Sequence, residues 1–437
     1  MTLAPTRPTF DGAALLRRLE EVWRRSDRVF ALLAPEALYQ RPIALRQPFL
    51  FYIGHLPAFA WNQVCRGLLR RAGFRPEFDD LFARGIDPVG VDRYEPDKAE
   101  MWPAPADVIA YRDGVRAALR ASFDEVGALV GSDILADHGR VYTLVIEHEL
   151  MHHETLLYMV QQLDRSMVRR PADLPAHVTR GATAPGSASI PGGIVTLGAD
   201  FAAVPFGWDN EFESHPEPVA GFAIDTTPVR NSEWLEFMAA GGYRRPELWN
   251  ADAWAWKERV GHAHPVFWAR RGDQWRYVAL FDELPLADVG DWPVYVSWAE
   301  ADAFARWRGA DLPTEAEWHA AAEGAPWGDG ANGNLDLTHW SPTPVGSYAS
   351  GASQHGVLDL VGNGWEWTKS RFGPFPGFTA WARTYSGYSA DFFDEHHYVM
   401  LGASWATDRA LVRRSFRNWF QPHYPFVFAK FRCVQRG

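Results

Sequence analysis

Three histidines in the N-terminal part of the chain have the residue type and spacing of a metal site. His148 and His152 lie four residues apart in HELMHHE, on a segment of helical periodicity, so both imidazoles project from one helix face. His55 lies among apolar residues in FYIGHLPAF, where an unpaired imidazole would be costly to bury. Neutral imidazoles suit iron, copper or zinc and leave positions on the ion open for other ligands. The pattern predicts a site that binds one such ion.

The same segment also fits a hydrolytic reaction. His148 to His152 spell H-E-x-x-H, the zinc protease signature, in which Glu149 would act as the general base. A metzincin would continue to a glycine and a third histidine at fixed spacing, whereas this chain continues HETLLYMVQQL. A distant glutamate ligand stays open, so a zinc hydrolase is an alternative. The adjacent His153 is rotated by about 100° around the helix and is expected to have a structural role.

Four amphipathic helices, predicted between about residues 10 and 170, must position these histidines. The second predicted helix contains His55, and the last contains His148 and His152. Four such helices favour a bundle, whose core is where ligands from different helices converge. From Asp79 to Pro105 the chain is rich in proline, glycine and charge and has no period. This stretch is predicted to be a long loop, and loops of that length are often functional.

A change of composition divides the chain. Residues 171–190 are rich in small residues and proline and are interpreted as a linker between a bundle at 1–170 and a second domain at 191–437. The second part contains most of the 21 tryptophans. Strand-like runs (GGIVTLGA, GFAIDTTPV, PVYVSW) occur there with two short helices (NSEWLEFMAA, WAEADAFARWRG). The predicted fold class is multidomain, with an α bundle followed by an α+β domain.

Composition excludes several classes of function. The net charge of −11, without a dense basic patch, argues against a nucleic-acid partner. The two cysteines, Cys65 and Cys433, cannot form a disulfide framework and favour a reducing compartment. No apolar run is long enough for a signal peptide or a membrane span. A cytoplasmic protein without a membrane partner is therefore expected.

Several motifs taken together resemble a known family. GHLPAFAWN and EHELMHHETL resemble the DinB-like bundle of the ergothioneine-type sulfoxide synthases. In the second part, PGGIVTLGA, FAIDTTPVRNSEWLEFM, LPTEAEWHAAA, LDLVGNGWEWT and KFRCV resemble the formylglycine-generating-enzyme (sulfatase-modifying factor) fold, a C-type-lectin-like domain. The resemblance covers nearly the whole chain. Formylglycine generation itself is not expected, because it needs a reactive cysteine pair and this domain has only Cys433.

The resemblance implies a cofactor and a proton donor. His55, His148 and His152 match the family's site for Fe(II), with O₂ as co-substrate. Tyr385, in TYSGYSADFF, matches the family's active-site tyrosine, and Tyr388 is the nearby alternate. A phenol close to the metal can deliver a proton during the oxidation.

The resemblance also implies a binding site for hercynine, the trimethylammonium betaine of histidine. Asn418 and Trp419, in FRNWF, match the pair that holds it in the family. An indole face can bind a trimethylammonium group by cation–π attraction, and an amide can bind its carboxylate. Trp419 as a core residue is the alternative. Met151 replaces the family glutamine before the second ligand of the helix pair, which affects how hercynine is placed.

Two departures from the family concern the second substrate. In relatives that use γ-glutamylcysteine, an aspartate follows the Asn-Trp pair, and two arginines of the long loop bind the donor's carboxylates. Here Phe420 replaces the acid, and GVDRYEPDKAEMWPAP offers Arg93 and Lys98 but no arginine pair. A pocket lined by Phe420 and Trp102 suits a neutral, sugar-like donor. The branch most resembled is therefore the selenoneine synthases, which join a selenosugar to hercynine.

Other readings stay open at this stage. A sulfoxide synthase that uses cysteine or another thiol is the alternative within the family. A DinB-like thiol-metabolism module, with the second domain acting only in binding, is an alternative of another class. The C-terminal domain could also hold a structural Ca²⁺.

Overall fold

The computed structural model describes residues 9–83, 102–381, 385 and 387–437. These residues form two compact units. The first contains the described residues of Met1–Ala172, Phe201–Phe206 and Trp381–Tyr385, and the second contains those of Asp173–Asp200, Gly207–Ala380 and Ser386–Gly437. A short segment from late in the chain thus belongs to the helical unit.

Helices make up the first unit. Its first helix begins after Asp11, whose carboxylate accepts the Ala14 N–H at 2.8 Å and so caps the helix. The helices are α1 (Gly12–Phe30), α2 (Phe49–Ala60), α3 (Pro76–Leu81), α4 (Pro105–Arg120), α5 (Phe123–Gly127) and α6 (Arg140–Gln161). α1 packs against α6, and α2 packs against α4 and α6. The four longest are the helices that the sequence periodicity predicted.

The second helix differs from its predicted amphipathic character, because every residue of α2 is buried. It is the central helix of the unit. Pro57 lies inside α2 and removes one backbone donor. The chain then continues without a break into a π-helical segment, Trp61–Leu68. Such wider turns often occur near functional residues.

The predicted long loop begins later than the sequence indicated. Asp79 belongs to α3, where its buried carboxylate accepts hydrogen bonds from the Tyr111 hydroxyl at 2.7 Å and the Phe74 N–H at 2.8 Å. Arg93 and Lys98 lie outside the described residues.

The described residues of the second unit form four small sheets. Its strands are β1 (Ser187–Ile190), β2 (Gly193–Leu197), β3 (His215–Val219), β4 (Phe222–Asp225), β5 (Trp268–Arg271), β6 (Gln274–Val278), β7 (Glu283–Pro285), β8 (Gly364–Arg371), β9 (Tyr398–Ala403), β10 (Asn418–Phe420), β11 (Ala429–Lys430) and β12 (Val434–Arg436). The sheet orders are β1-β4-β12, β10-β9-β8-β11, β2-β3 and β5-β6-β7. Pairing is antiparallel except between β8 and β11.

Helices cover these sheets, and a buried ion pair lies at their centre. The helices are α7 (Asn231–Ala239), α8 (Ala251–Val260), α9 (Trp298–Trp307), α10 (Glu315–Ala321) and α11 (Gly387–Ala390). Glu366 of β8 accepts hydrogen bonds from Arg432 Nε at 2.6 Å and from the Trp318 indole at 3.0 Å. All three side chains are fully buried, so these motif residues maintain the fold.

None of the helices in the described ranges is both long and apolar enough to cross a bilayer.

The strand predicted for PVYVSW is wrong. Pro293 makes only an isolated bridge to Arg230, and the segment then runs extended into α9. The Val294 N–H donates to the carbonyl of Val229, whereas the Val296 N–H donates to that of Ala429. Because successive donors bond to different segments, no continuous ladder forms.

Candidate active site

Two helices of the first unit bring the predicted ligands together. His55 lies in α2, and His148 and His152 lie one turn apart in α6. Their ligand atoms all lie within 4.8 Å of one another, and the Nε2 atoms of His148 and His152 are 3.2 Å apart. Across the described ranges, this is the single group of three or more His, Cys, Asp or Glu side chains so spaced. The Ca²⁺ considered for the second domain therefore stays a prediction.

A backbone carbonyl group fixes the orientation of the His55 ring. Its Nδ1 donates a hydrogen bond to the Phe82 carbonyl at 2.7 Å, which leaves the Nε2 lone pair available. That Nε2 is buried and has no hydrogen-bond partner in the part of the chain that the structure describes. A Cβ at Gly54 would lie 2.5 Å from the Phe82 ring, so a glycine lets this turn approach α2. An orphaned, buried nitrogen facing two other imidazoles fits a metal ligand.

Burial keeps the three imidazoles neutral. It lowers the pKa of His55 to about 4, although the hydrogen bond to Phe82 opposes the shift. Burial and the neighbouring imidazoles also hold the pKa values of His148 and His152 well below their usual range. Neutral imidazole is the form that binds metal ions. The residues therefore fit a transition-metal ion such as iron, copper or zinc.

Aromatic rings surround the cluster. Phe59 stacks on His148 with ring centroids 3.6 Å apart, and Phe51 stacks on His55 at 5.1 Å. Trp102 meets Phe51 edge to face at 6.0 Å, so the described end of the predicted loop packs onto these aromatic rings. The rings restrict rotation of the imidazoles and keep water from them.

Tyr385 lies beside Phe59, one of these aromatic rings. It belongs to the segment Trp381–Tyr385 of the first unit, and its ring centroid is 5.4 Å from that of Phe59 and 6.4 Å from that of His148. Tyr388 instead packs within the second unit, where it stacks on Trp208 at 4.0 Å and meets Trp419 edge to face at 5.1 Å. Of the two candidate tyrosines, the structure brings Tyr385 to the histidines.

Glu149 forms its hydrogen bond away from the three histidines. Its carboxylate accepts a hydrogen bond from Ser26 of α1, whose hydroxyl also lies 2.6 Å from His153 Nε2. Burial raises the pKa of Glu149, and the positive charge of Arg116 opposes this shift. A general base of a zinc hydrolase would have to face the metal-bound reactants. The geometry therefore disfavours the hydrolase alternative.

The predicted hercynine residues form an edge strand in the second unit. Alternation along β10 places Asn418 and Phe420 on one face and Trp419 on the other. The Asn418 Oδ1 accepts the Trp419 N–H at 2.9 Å, while its Nδ2 makes no hydrogen bond within the described residues. Trp419 stacks on Phe372 at 4.0 Å but stays partly exposed. Phe420 stacks on Tyr424, with centroids 5.1 Å apart and planes 12° from parallel.

Sequence reasoning missed two contributors to the metal cluster. Phe59 lies four residues after His55, on the same face of the helical path, so its spacing could have identified it. The Phe82 carbonyl could not have been found, because it depends on the packing of the turn after α3 onto α2. Met151, named from the family pattern, is partly buried on α6 directly before His152.

Two family models match the chain. The DinB superfamily model matches residues 18–156, and the model of the sulfatase-modifying factor enzyme 1-like domain matches residues 172–437. The predicted fold class, a DinB-like bundle followed by a formylglycine-generating-enzyme-like domain, is confirmed. The chain therefore belongs to the class of proteins in which a DinB-like bundle precedes a formylglycine-generating-enzyme-like domain.

Three similar proteins identify the family. The hercynine oxygenase of Mycolicibacterium smegmatis is 36% identical over 348 residues, covering 76% of this chain and 78% of that protein. The hercynine oxygenase of Mycobacterium tuberculosis is 37% identical over 309 residues, covering 67% and 71%. Ergothioneine biosynthesis protein 1 of Neurospora crassa is 27% identical over 515 residues, covering 95% and 57%. The chain belongs to the hercynine oxygenase family, the ergothioneine-type sulfoxide synthases, and is an oxidoreductase, as its motifs predicted.

Proposed function

We propose that this enzyme uses Fe(II) and O₂ to join a chalcogen donor to the imidazole carbon of hercynine. The observation that carries the proposal is the buried trio of neutral histidines with Tyr385 beside it. The names of the similar hercynine oxygenases support hercynine as the substrate. In this proposal, residues 1–170 hold the metal, residues 171–190 link the domains, and residues 191–437 bind substrate. The end of the predicted linker, Ser187–Ile190, forms β1 and so already belongs to a sheet of the second domain.

The overall reaction balances without a further co-reactant. One C–H bond of the imidazole and one Se–H or S–H bond of the donor break, and a carbon–chalcogen bond forms. The chalcogen is oxidised to the selenoxide or sulfoxide with one oxygen atom of O₂. The second oxygen atom leaves as water with the two protons. O₂ accepts four electrons, two from bond formation and two from the oxidation of the chalcogen.

In the first unit, each residue has a definite task. His55, His148 and His152 would hold iron, which supplies the one-electron chemistry needed to activate O₂. Phe59 keeps the His148 ring in plane and excludes water. Tyr385 holds a phenolic proton next to Phe59 and His148 and delivers it during the oxidation.

In the second unit, β10 would bind hercynine. The unpartnered Nδ2 of Asn418 can donate to the carboxylate of the betaine, because Oδ1 is already fixed by the Trp419 N–H. Phe372 covers one face of the Trp419 indole, and the exposed part can take the trimethylammonium group by cation–π attraction.

The donor that fits best is a selenosugar. The stacked pair of Phe420 and Tyr424 offers an aromatic surface and no positive charge. Arg417, the nearest arginine before β10, is buried and bound to Glu315 through Nε at 2.8 Å and Nη2 at 3.2 Å. It is therefore not available for a donor carboxylate, and an unpaired buried ion is costly. A selenosugar carries no carboxylate, and its selenol is ionised at neutral pH. Cysteine or another small thiol is the alternative donor.

The test is a direct competition between donors. The protein is loaded with Fe(II) without oxygen and then given O₂, hercynine and one of four donors: a 1-selenosugar, a 1-thiosugar, cysteine or γ-glutamylcysteine. Mass spectrometry of products and O₂ consumption are measured. The selenosugar is expected to react fastest and γ-glutamylcysteine slowest. Faster turnover of γ-glutamylcysteine would refute the selenium proposal.

The metal assignment is tested in the same preparation. His152→Ala should lose stoichiometric iron and all turnover. His153→Asn is the matched control, since His153 is the adjacent buried histidine but lies against Ser26. It should keep its iron. Full iron occupancy in His152→Ala would remove the assignment.

A further inference from the structure

A cavity in the second unit carries basic side chains that the proposed reaction does not use. Its volume is about 480 Å³, and it is lined by α10 with the turn after it and by the connection from β1 to β2. The wall combines apolar groups, among them Val195 and Trp327, with the polar side chains of His319, His355 and Arg414. This size and mixture are typical of sites for small organic ligands.

Arg414 differs from the two arginines nearest to it in the chain, Arg413 and Arg417. Arg413 donates through Nε to Glu211, and Arg417 donates through Nε to Glu315, both at 2.8 Å. The half-buried guanidinium of Arg414 makes no hydrogen bond or ion pair with any residue that the structure describes. A guanidinium presents a planar fork of donors that matches a carboxylate. The negative charge of Glu323 acts on Arg414 without a hydrogen bond between them, and a bound oxyanion would supply that hydrogen-bond partner.

His319 lacks a partner at the same cavity. Its side chain is only 2% exposed, and neither ring nitrogen hydrogen-bonds to a described residue. Burial, and then the positive charges of Arg414 and Arg417, hold the pKa of His319 well below its usual range. The neutral ring therefore has one donor and one acceptor unsatisfied. Buried polar groups without partners are rare, and a ligand in the cavity would satisfy this one.

An acidic side chain in the cavity wall limits how much negative charge a ligand can carry. Glu323 also lines the cavity, where its carboxylate lies 3.6 Å from His355 Nε2. This negative charge disfavours an anion with several charges. Val195 and Trp327 leave room for an apolar or aromatic body. We infer that the cavity binds a small organic monocarboxylate, whose carboxylate is held by Arg414 and His319.

The test uses the full-length protein and 4-fluorobenzoate as the probe, followed by ¹⁹F NMR titration. Saturable binding is expected, with affinity at least about tenfold weaker in Arg414→Gln, because a bidentate charged contact is lost. The neutral isostere 4-fluorobenzamide should bind at least about tenfold more weakly to the wild type. Arg259→Gln removes an exposed arginine that does not line the cavity and should leave the affinity unchanged.

Two further measurements make the outcome decisive. Inorganic phosphate should displace 4-fluorobenzoate only at much higher concentration, and equal displacement would overturn the monocarboxylate assignment. Arg414→Met should melt at the same temperature as the wild type or higher, since no hydrogen bond or ion pair with a described residue is lost. A fall of several degrees would show that Arg414 is structural and would overturn the proposal. Absence of saturable binding, or equal affinity in Arg414→Gln, would do the same.

Discussion

Phe59 and His148 stack face to face, with ring centroids 3.6 Å apart and planes 8° from parallel. The stack confines the imidazole to one plane, so that its nitrogen keeps facing the other two histidines. Groups that orient a metal ligand commonly contribute 10–100-fold to metal affinity, and a loss of about this size is expected for Phe59→Leu. Anaerobic titration with Fe(II), followed by calorimetry, measures it.

A second stacked pair in the same unit provides the control. Phe123 and Tyr142 are 4.0 Å apart and 3° from parallel, but neither belongs to the histidine cluster. Phe123→Leu should lower the melting temperature and leave Fe(II) affinity unchanged. Equal losses of affinity in the two leucine variants would mean that Phe59 acts only through general stability.

Tyr385→Phe is expected to slow product formation by about 10²–10⁴-fold, the usual contribution of a positioned proton donor. Hercynine affinity should not change, because the substitution removes one hydroxyl and keeps the ring that contacts Phe59 and His148. Single-turnover experiments started with O₂ separate the two effects. Tyr388→Phe is the matched variant and should retain most of the rate. A large loss in that variant with none in Tyr385→Phe would reverse the assignment.

The histidine cluster could be predicted because two of its three members lie on one helix. The spacing of His148 and His152 follows from the helical period alone, and the apolar surroundings of His55 mark a buried imidazole. The arrangement of these three side chains in space depends on how α2 packs on α6, which no local pattern encodes. The same is true of Ser26, which fixes Glu149 from a helix more than a hundred residues away in sequence.

The second domain was predicted less well from periodicity than from its motifs. PVYVSW alternates like a strand, yet its hydrogen bonds go to two different segments. Trp419 was weighed as either a core residue or a binding residue, and the structure gives it both a stacked partner, Phe372, and partial exposure. Sequence patterns report burial on average and do not show which part of a ring stays exposed.

Glu300 should make the stability of the second unit depend on acid pH. Burial opposes its ionisation, but His262, with Nε2 2.8 Å away, and hydrogen bonds from Tyr243 and Ser297 outweigh burial and lower the pKa of Glu300. A lowered folded-state pKa gives stability that is complete above the unfolded-state value of about 4.3. That stability is lost as the pH falls through the folded-state value.

Glu300→Gln is therefore expected to reduce the free energy of unfolding by about 3–5 kcal/mol at pH 7, as for other broken buried pairs. The difference from the wild type should shrink as the pH falls below about 4, where Glu300 takes up a proton in both the folded and the unfolded state. Thermal melts at intervals across this range measure it. Glu236→Gln, at an exposed glutamate of α7 that forms no ion pair with a described residue, is the control and should show a negligible difference at every pH. A gap that widens as the pH falls below about 4 would contradict the expected sign.

Phe420 should determine how well the donor is used. If a selenosugar lies against the aromatic surface formed with Tyr424, Phe420→Ala removes one stacking contact, worth about 1.4 kcal/mol, and lowers kcat/KM for the donor about tenfold. The KM for hercynine should be unchanged, since its residues, Asn418 and Trp419, are retained. Phe426→Ala is the matched control, because Phe426 contacts the same Tyr424 edge to face at 5.3 Å. Steady-state kinetics with each substrate varied in turn separate these effects, and an equal loss in both alanine variants would show that Phe420 only supports Tyr424.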